Sequence, residues 1–238
     1  MKAIILAAGK GERMKPLTNH TPKPLLNIGD KSILEWHLHN LIKHGFKDIT
    51  INNAWLGQQI VDKIGFEYLG AKINHSSEPE CLETAGGIAY AMQYLSSEND
   101  EPFLVINGDT FIPNLPIQSF MHNAKNFTAS QQGYLYLVDN PPHNSNGDFY
   151  LDNNTLYLAT DNPNIHNIQK FTFSGMGLYR PSLFNTIKHG EHAQLSPVLR
   201  HGIINHTIFG EKFNDVWRDI GTVQRLQEVN EIIKQDVV

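Results

Sequence analysis

The sequence predicts an α/β domain of three layers, with a mostly parallel central sheet between helices. Three observations predict it. Up to Asp109, strand-like and helix-like segments alternate, and such alternation produces parallel strands joined by right-handed crossovers. Residues 3–8 are a continuous apolar run, which marks a central strand covered on both faces. That run stops in glycines, and a second buried run (103–107, "FLVIN") stops at "NGDT" (107–110). Ligands of open α/β sheets bind at such carboxyl ends.

Each element has a local reason. Residues 32–44 read as a helix, with Ser32 and Glu35 as a capping box, Leu34, Leu38 and Leu41 at helical spacing, and Gly45 as the stop. Residues 48–53 alternate as a strand and 58–64 form a short helix; 72–75 is a strand, and 87–95 a helix. The second half reads differently. Residues 133–138, 149–151, 156–158 and 171–179 are strand-like, with turn signals in "DNPPHNSNGD" and "DNN". Thr222 caps a last helix carrying Val223, Leu226, Val229 and Ile233. No Pro/Gly/Ser linker separates the halves, so a single domain over residues 1–238 is expected, divided near residue 110.

Bulk properties narrow the function. The 238 residues are 40% hydrophobic and 18% charged with a net charge of -5, which leaves no basic excess for a nucleic-acid backbone. Apolar stretches fall short of the roughly 20 residues that span a bilayer, and the apolar start of "MKAIILAAGKG" runs directly into Gly, Lys and Arg. No membrane association is expected. One cysteine, Cys81, excludes an internal disulfide framework and fits a reducing, cytoplasmic setting. Twelve histidines show no zinc spacing: His37 and His39 sit on different helix faces, and His201 and His206 have no partnering pattern.

The opening loop carries the strongest signal. A glycine-rich turn after a buried strand presents N–H groups that cradle phosphate oxygens. The P-loop pattern is absent, and the dinucleotide fingerprint fails because Met14 stands in place of its third glycine. What remains is Gly9-x-Gly11-x-Arg13, followed by Lys23 between Pro22 and Pro24. The prolines restrict their neighbours to extended conformations, so Lys23 is expected to be held stiffly. Two fixed cations and a ring of N–H donors suit phosphoryl or nucleotidyl transfer.

The stretch "LAAGKGERMKPLTNHTPKPL" (6–25) resembles the signature of the sugar-1-phosphate nucleotidyltransferases, L-A-A-G-x-G-x-R-x-x-P-L-T-x-x-x-P-K-P-L, at every fixed position. The resemblance implies a Rossmann-like, GT-A-like fold and transfer of a nucleoside monophosphate from an NTP to a sugar 1-phosphate, with release of pyrophosphate. It implies that Arg13 and Lys23 contact the phosphates as the catalytic cations, and that Ala8, Gly9, Gly11 and Glu12 contact the nucleotide. "LETAGGI" (82–88) is similar to the family's L-G-T-A-G segment, which assigns Gly86 to the nucleobase; Glu83 stands where many members carry glycine, and Glu78 is a further base candidate. An aspartate beyond a strand end, beside a triphosphate, suits Mg2+, which takes one or two carboxylates plus phosphate oxygens and water. The resemblance nominates Asp109 and, through "VWRDIGT" (216–222), Asp219, with Asn107 and Gly108 facing nucleoside and sugar. "NSNGDF" (144–149) and "FTFSGMGLY" (171–179) resemble sugar-pocket segments and assign Gly147, Asp148 and Gly175 to the sugar.

Segments along nearly the whole chain, among them "NNAWLGQQIVDKIG", "SSEPECLETAGGI" and "LVDNPPHNSNGDF", are similar to the N-acetylmuramate-1-phosphate uridylyltransferase branch. That branch implies UTP and N-acetyl-α-muramic acid 1-phosphate as substrates and no β-helix extension. The nearest alternatives are a mannose-1-phosphate guanylyltransferase and a glucose-1-phosphate uridylyl- or thymidylyltransferase. A cation for the lactyl carboxylate is expected, with Arg180, His143 and Arg200 as candidates. Asn53, where histidine is expected, and the asparagine-rich stretch 158–170 depart from the branch. Monomer and homo-oligomer both stay open.

Overall fold

The computed structural model describes residues 1–159 and 165–235. Residues 160–164, in the asparagine-rich stretch, lie outside the described residues. The elements run β1 (Ala3–Leu6), a small ribbon of β2 (Asn27–Ile28) and β3 (Lys31–Ser32), α1 (Ile33–Lys43), β4 (Asp48–Asn53), α2 (Gly57–Ile64), β5 (Glu67–Tyr68), β6 (Ala71–Ser77), α3 (Glu83–Tyr90) and α4 (Met92–Leu95). They continue with β7 (Phe103–Asn107), β8 (Thr110–Phe111), α5 (Ile117–Lys125), β9 (Gly133–Val138), β10 (Phe149–Asp152), β11 (Thr155–Tyr157), β12 (Lys170–Tyr179), α6 (Leu195–Ile204), β13 (Ile208–Lys212), β14 (Arg218–Asp219) and α7 (Val223–Gln235).

The expected parallel core is present as β6-β4-β1-β7. Its strands alternate between two apolar layers: Ala3 and Ile5 face one cluster and Ile4 the other, and Leu104 and Ile106 oppose Phe103 and Val105. The second half extends this core through β12, which runs antiparallel to β7 and β9. Strand β10 pairs with both β11 and β12, so β10-β11-β13-β9-β12 close into a ring. One sheet of ten strands therefore crosses both halves.

Local chemistry sets the element ends. Ser32 Oγ accepts from the Glu35 amide while Glu35 takes the Ser32 amide, the capping box expected at α1. At the other end Gly45 adopts φ 89°, and the amides of Gly45 and Phe46 reach back to Ile42 and Leu41, a Schellman closure. Glu35 sits well below the usual carboxylate range, at about 2, because hydrogen bonds from Ser32 and the Lys63 ammonium outweigh the cost of its burial. The helix expected at 87–95 begins earlier, at Glu83, and breaks at Ala91. Two helices and a strand that the sequence reading leaves out, α5, α6 and β13, complete the second half. Among the described residues no helix is long and apolar enough to cross a membrane.

Candidate active site

The carboxyl ends of β1, β4 and β7 open into a cleft of about 310 Å³. Its floor is Leu6 to Gly9, its rim Gly11 to Met14, and Lys23, Asn52, Asn107 and Asp109 project into it. Among the described residues the amides of Ala8, Gly9, Lys10 and Gly11 have no protein acceptor. Two glycines in this loop have different reasons. A Cβ on Gly9 would meet no protein atom within 4 Å, so nothing in the protein itself requires glycine there, and the space is open to a ligand. Gly11 adopts φ 64°, and a Cβ would come 2.8 Å from Thr18 Cγ2; it is needed for the loop to close. The Thr18 hydroxyl donates to the Gly11 carbonyl at 2.8 Å, and Trp55 and Gln59 donate to the carbonyls of Thr18 and His20. The loop is thus clamped from both sides.

Arg13 is exposed at the rim and has no ion-pair partner among the described residues. Glu12 lines the same rim but its carboxylate is paired with Lys15. Lys23 differs from the expected extended arm. Pro22 is extended, yet Lys23 opens a 3-10 turn over Lys23–Leu25 that buries it. Its side chain is 9% exposed and Nζ donates to Asp109 Oδ2 at 2.7 Å.

Glu78 and Gly86 do not line the cleft. Glu78 is buried, which pushes its carboxyl up, and its two oxygens accept from Asn52 Nδ2 at 2.6 Å and the Leu82 amide at 2.9 Å. Asn52 Oδ1 in turn accepts from the Ala7 amide at 2.7 Å. Glu78 therefore ties the floor of the cleft to the start of α3 and positions both. The Gly86 amide is donated to the Ala193 carbonyl at 3.0 Å, and a Cβ there would collide with the Glu191 carbonyl; its smallness serves close helix-to-chain contact. The α3 residues that do line the cleft are Glu83 and Thr84, with Cys81 before them. Glu83 is exposed at φ 63°, the left-handed region that favours glycine.

The two aspartates meet through their backbones. Strands β8 and β14 pair with Asp219 opposite Thr110, and the Ile220 amide donates to the Asp109 carbonyl at 2.9 Å. Their carboxylates have different partners. Asp109 takes Lys23, whereas Asp219 is bound by the Arg225 guanidinium and by His143 Nε2 at 3.1 Å, and it lines a separate cavity beside α7. Among the described residues no group of three or more His, Cys, Asp or Glu is arranged to hold a metal. Asp109, just before β8, and Asp219, on β14, are hard oxygen donors of the kind that a magnesium ion takes beside phosphate and water oxygens.

A second cavity of about 340 Å³ adjoins the first, sharing Glu83, Thr84 and Asn107. Asp148 lines it, with Oδ2 accepting from the Phe173 amide at 2.8 Å and Oδ1 from Asn144. Gly108, Gly147 and Gly175 do not line it. A Cβ on Gly108 would come 2.5 Å from the Leu6 carbonyl; Gly147 (φ 61°) fits against Asn140, and Gly175 (φ 81°) against Asn107. These glycines let Asn107 and the turn before β10 approach their neighbours closely. Arg200, one of the three cations expected for the lactyl carboxylate, lines this cavity, whereas the sequence reading does not single out Asn52, Thr84, Phe173 and Ser196 as lining residues. Thr84 and Phe173 fall within the quoted segments 82–88 and 171–179, and Asn52 sits at the end of a buried strand; Ser196 has no local signal.

Over residues 2–236 the chain matches the model of the nucleotidyl transferase family. It is 45% identical over 230 residues to the N-acetylmuramate alpha-1-phosphate uridylyltransferase of Neisseria meningitidis serogroup B, across 96% of each chain. It is 26% identical to mannose-1-phosphate guanyltransferase beta-B of Xenopus laevis, over 93% of this chain and 61% of that protein. A Bacillus anthracis crystal structure described as a glucose-1-phosphate thymidylyltransferase superposes with a TM-score of 0.81 over 98% of this chain and 94% of that one; at 19% identity it speaks to the fold. With the open loop, the two aspartates brought together at the β8–β14 pair and these similarities, the chain belongs to the nucleotidyl transferase family.

Proposed function

We propose that this chain transfers UMP from UTP to N-acetyl-α-muramic acid 1-phosphate, giving UDP-N-acetylmuramic acid and pyrophosphate. The observation that carries the choice of substrates is the 45% identity to the Neisseria uridylyltransferase along 96% of both chains. The site supports the chemistry. The unpaired amides of the opening loop and the Arg13 guanidinium receive the triphosphate, anions drawn to donors that have no protein partner. The base lies toward Cys81 and Thr84, and the acceptor sugar toward Asp148 and Phe173 in the adjoining cavity.

In the reaction an oxygen of the sugar phosphate attacks the α-phosphorus in line, a new P–O bond forms, and the bond to the departing pyrophosphate breaks. No covalent enzyme intermediate is needed. Arg13 and Lys23 neutralise charge that grows on the departing oxygens, an effect strongest in a partly closed cleft. For Lys23 this requires its ammonium to swing from Asp109 to phosphate, which frees the Asp109 carboxylate. Asp109 and Asp219 are the residues that would hold Mg2+, which when bound supplies further charge neutralisation on the phosphates.

Pyrophosphate release tests the reading, with magnesium and a panel of nucleoside triphosphates against a panel of sugar 1-phosphates. Turnover confined to UTP with N-acetylmuramic acid 1-phosphate is expected. Preference for GTP with mannose 1-phosphate would overturn the substrate assignment and keep the chemistry.

A further inference from the structure

We propose that Arg200 recognises a carboxylate on the sugar substrate, and so selects an acidic sugar 1-phosphate over its neutral counterpart. The proposal rests on the substrate reading above, in which the lactyl ether at the sugar supplies that carboxylate. Arg200 lies on α6 and is the one Lys or Arg lining the second cavity. Its Nε is within 3.4 Å of Ser196 Oγ, four residues back on the same helix, and among the described residues no carboxylate pairs with it. A guanidinium in this state keeps its planar fork of Nη donors available, the geometry that binds carboxylates with two parallel hydrogen bonds.

The rest of the charged lining is acidic. Among the described residues Glu83 and Asp148 are the other charged ones, and Asp148 already spends both oxygens on Phe173 and Asn144. Arg200 is therefore the charged group of this cavity that attracts an anion. That anion is not the phosphate of the sugar 1-phosphate. Arg13, Lys23 and Asp109 all line the first cavity and none lines the second, so the phosphate chemistry is concentrated across Asn107 from Arg200. A ligand reaching both places carries two separated anions joined by a largely uncharged body. Phe149, Phe173, Leu195 and Leu199 supply apolar wall beside Arg200, suited to the methyl groups of an N-acetyl and a lactyl substituent.

The other cations considered for this task are engaged elsewhere. The Arg180 guanidinium donates to the carbonyls of Gln131 at 2.8 Å and Asp100 at 2.6 Å and lines neither cavity. His143 faces Asp219 in the cavity beside α7.

The test compares kcat/KM for N-acetylmuramic acid 1-phosphate and N-acetylglucosamine 1-phosphate, which differ by the lactyl group, in the wild type and in Arg200→Gln and Arg200→Lys. The expected result is a loss of selectivity of about 50-fold in Arg200→Gln, carried mainly by KM, as for removal of a charged hydrogen bond. Arg200→Lys should recover part of it, because the charge remains and the fork is lost. Equal losses with both sugars would overturn the proposal and assign Arg200 to phosphate or to folding. A wild-type preference that survives Arg200→Gln would overturn the proposal alone. A wild type indifferent to the lactyl group would remove the substrate reading and the proposal with it.

Discussion

The two ends of the composite cleft work by opposite means. At the nucleotide end, residues 7–23 present unpaired amides and two cations, and the ligand space is left open above Gly9. At the sugar end, Phe149, Phe173, Leu195 and Leu199 build walls around one guanidinium. Backbone amides and cations recognise what every nucleoside triphosphate shares, whereas shaped apolar walls with a single cation can tell one sugar from another. Damage at the first end should lower turnover with every substrate; damage at the second should change their ranking.

The largest effect is expected at Asp109. Asp109→Asn keeps an acceptor for Lys23 but removes a charged ligand, and kcat/KM should fall about 10³-fold with every sugar 1-phosphate, measured by pyrophosphate release. Lys23→Met should cost about 10²-fold, again without changing the ranking of sugars. If either variant altered that ranking, the division of labour would be wrong.

Gly11→Ala acts on the loop itself. The strained φ and the 2.8 Å approach to Thr18 Cγ2 should destabilise the protein by about 1–2 kcal/mol in denaturant melts. Adding Thr18→Ser removes Cγ2 while keeping the hydroxyl bond to the Gly11 carbonyl, and should restore part of the loss.

Glu35 is the control on the scaffold. Its carboxyl lies at about 2 when folded, against 4.5 for a free glutamate side chain. Its contribution is thus fully present above pH 4.5 and is lost as pH falls toward 2. Glu35→Gln should cost about 1 kcal/mol at neutral pH, flatten the acid limb of the stability curve, and leave substrate selectivity untouched. The smallest effect belongs to Glu83, which joins the two cavities at φ 63°. Glu83→Gly should raise stability by a few tenths to about 1 kcal/mol, readable as a higher Tm; a lower Tm would show that its side chain repays the strain.

The difference between the ends also explains what the sequence revealed. The opening loop lies within one stretch of chain, so its glycines, Arg13 and Lys23 carry a local signature. The capping box of α1 and its glycine stop are equally local. Arg200 and Ser196 have no such mark, because α6 reaches the cavity only after β12, β9 and β13 have assembled around it. The glycines show a related limit: Gly86, Gly147 and Gly175 make room for the Glu191 carbonyl, Asn140 and Asn107, and the partners of Gly86 and Gly175 are remote in sequence. A glycine pattern alone cannot say whether the room is for ligand or for protein. The two bonds that Glu78 accepts, from Asn52 and from the Leu82 amide, are likewise not announced by its sequence context.

The central claim is that both halves meet on one substrate through Asp109 and Asp219, although each carboxylate now answers to its own cation. A crystal grown with UTP and Mn2+, with anomalous diffraction recorded, tests it most directly. The expected result is an anomalous peak in contact with both aspartates, Lys23 withdrawn from Asp109 onto phosphate, and the triphosphate on the amides of residues 8–11. A peak on Asp109 alone, with Asp219 still held by Arg225 and His143, would contradict it.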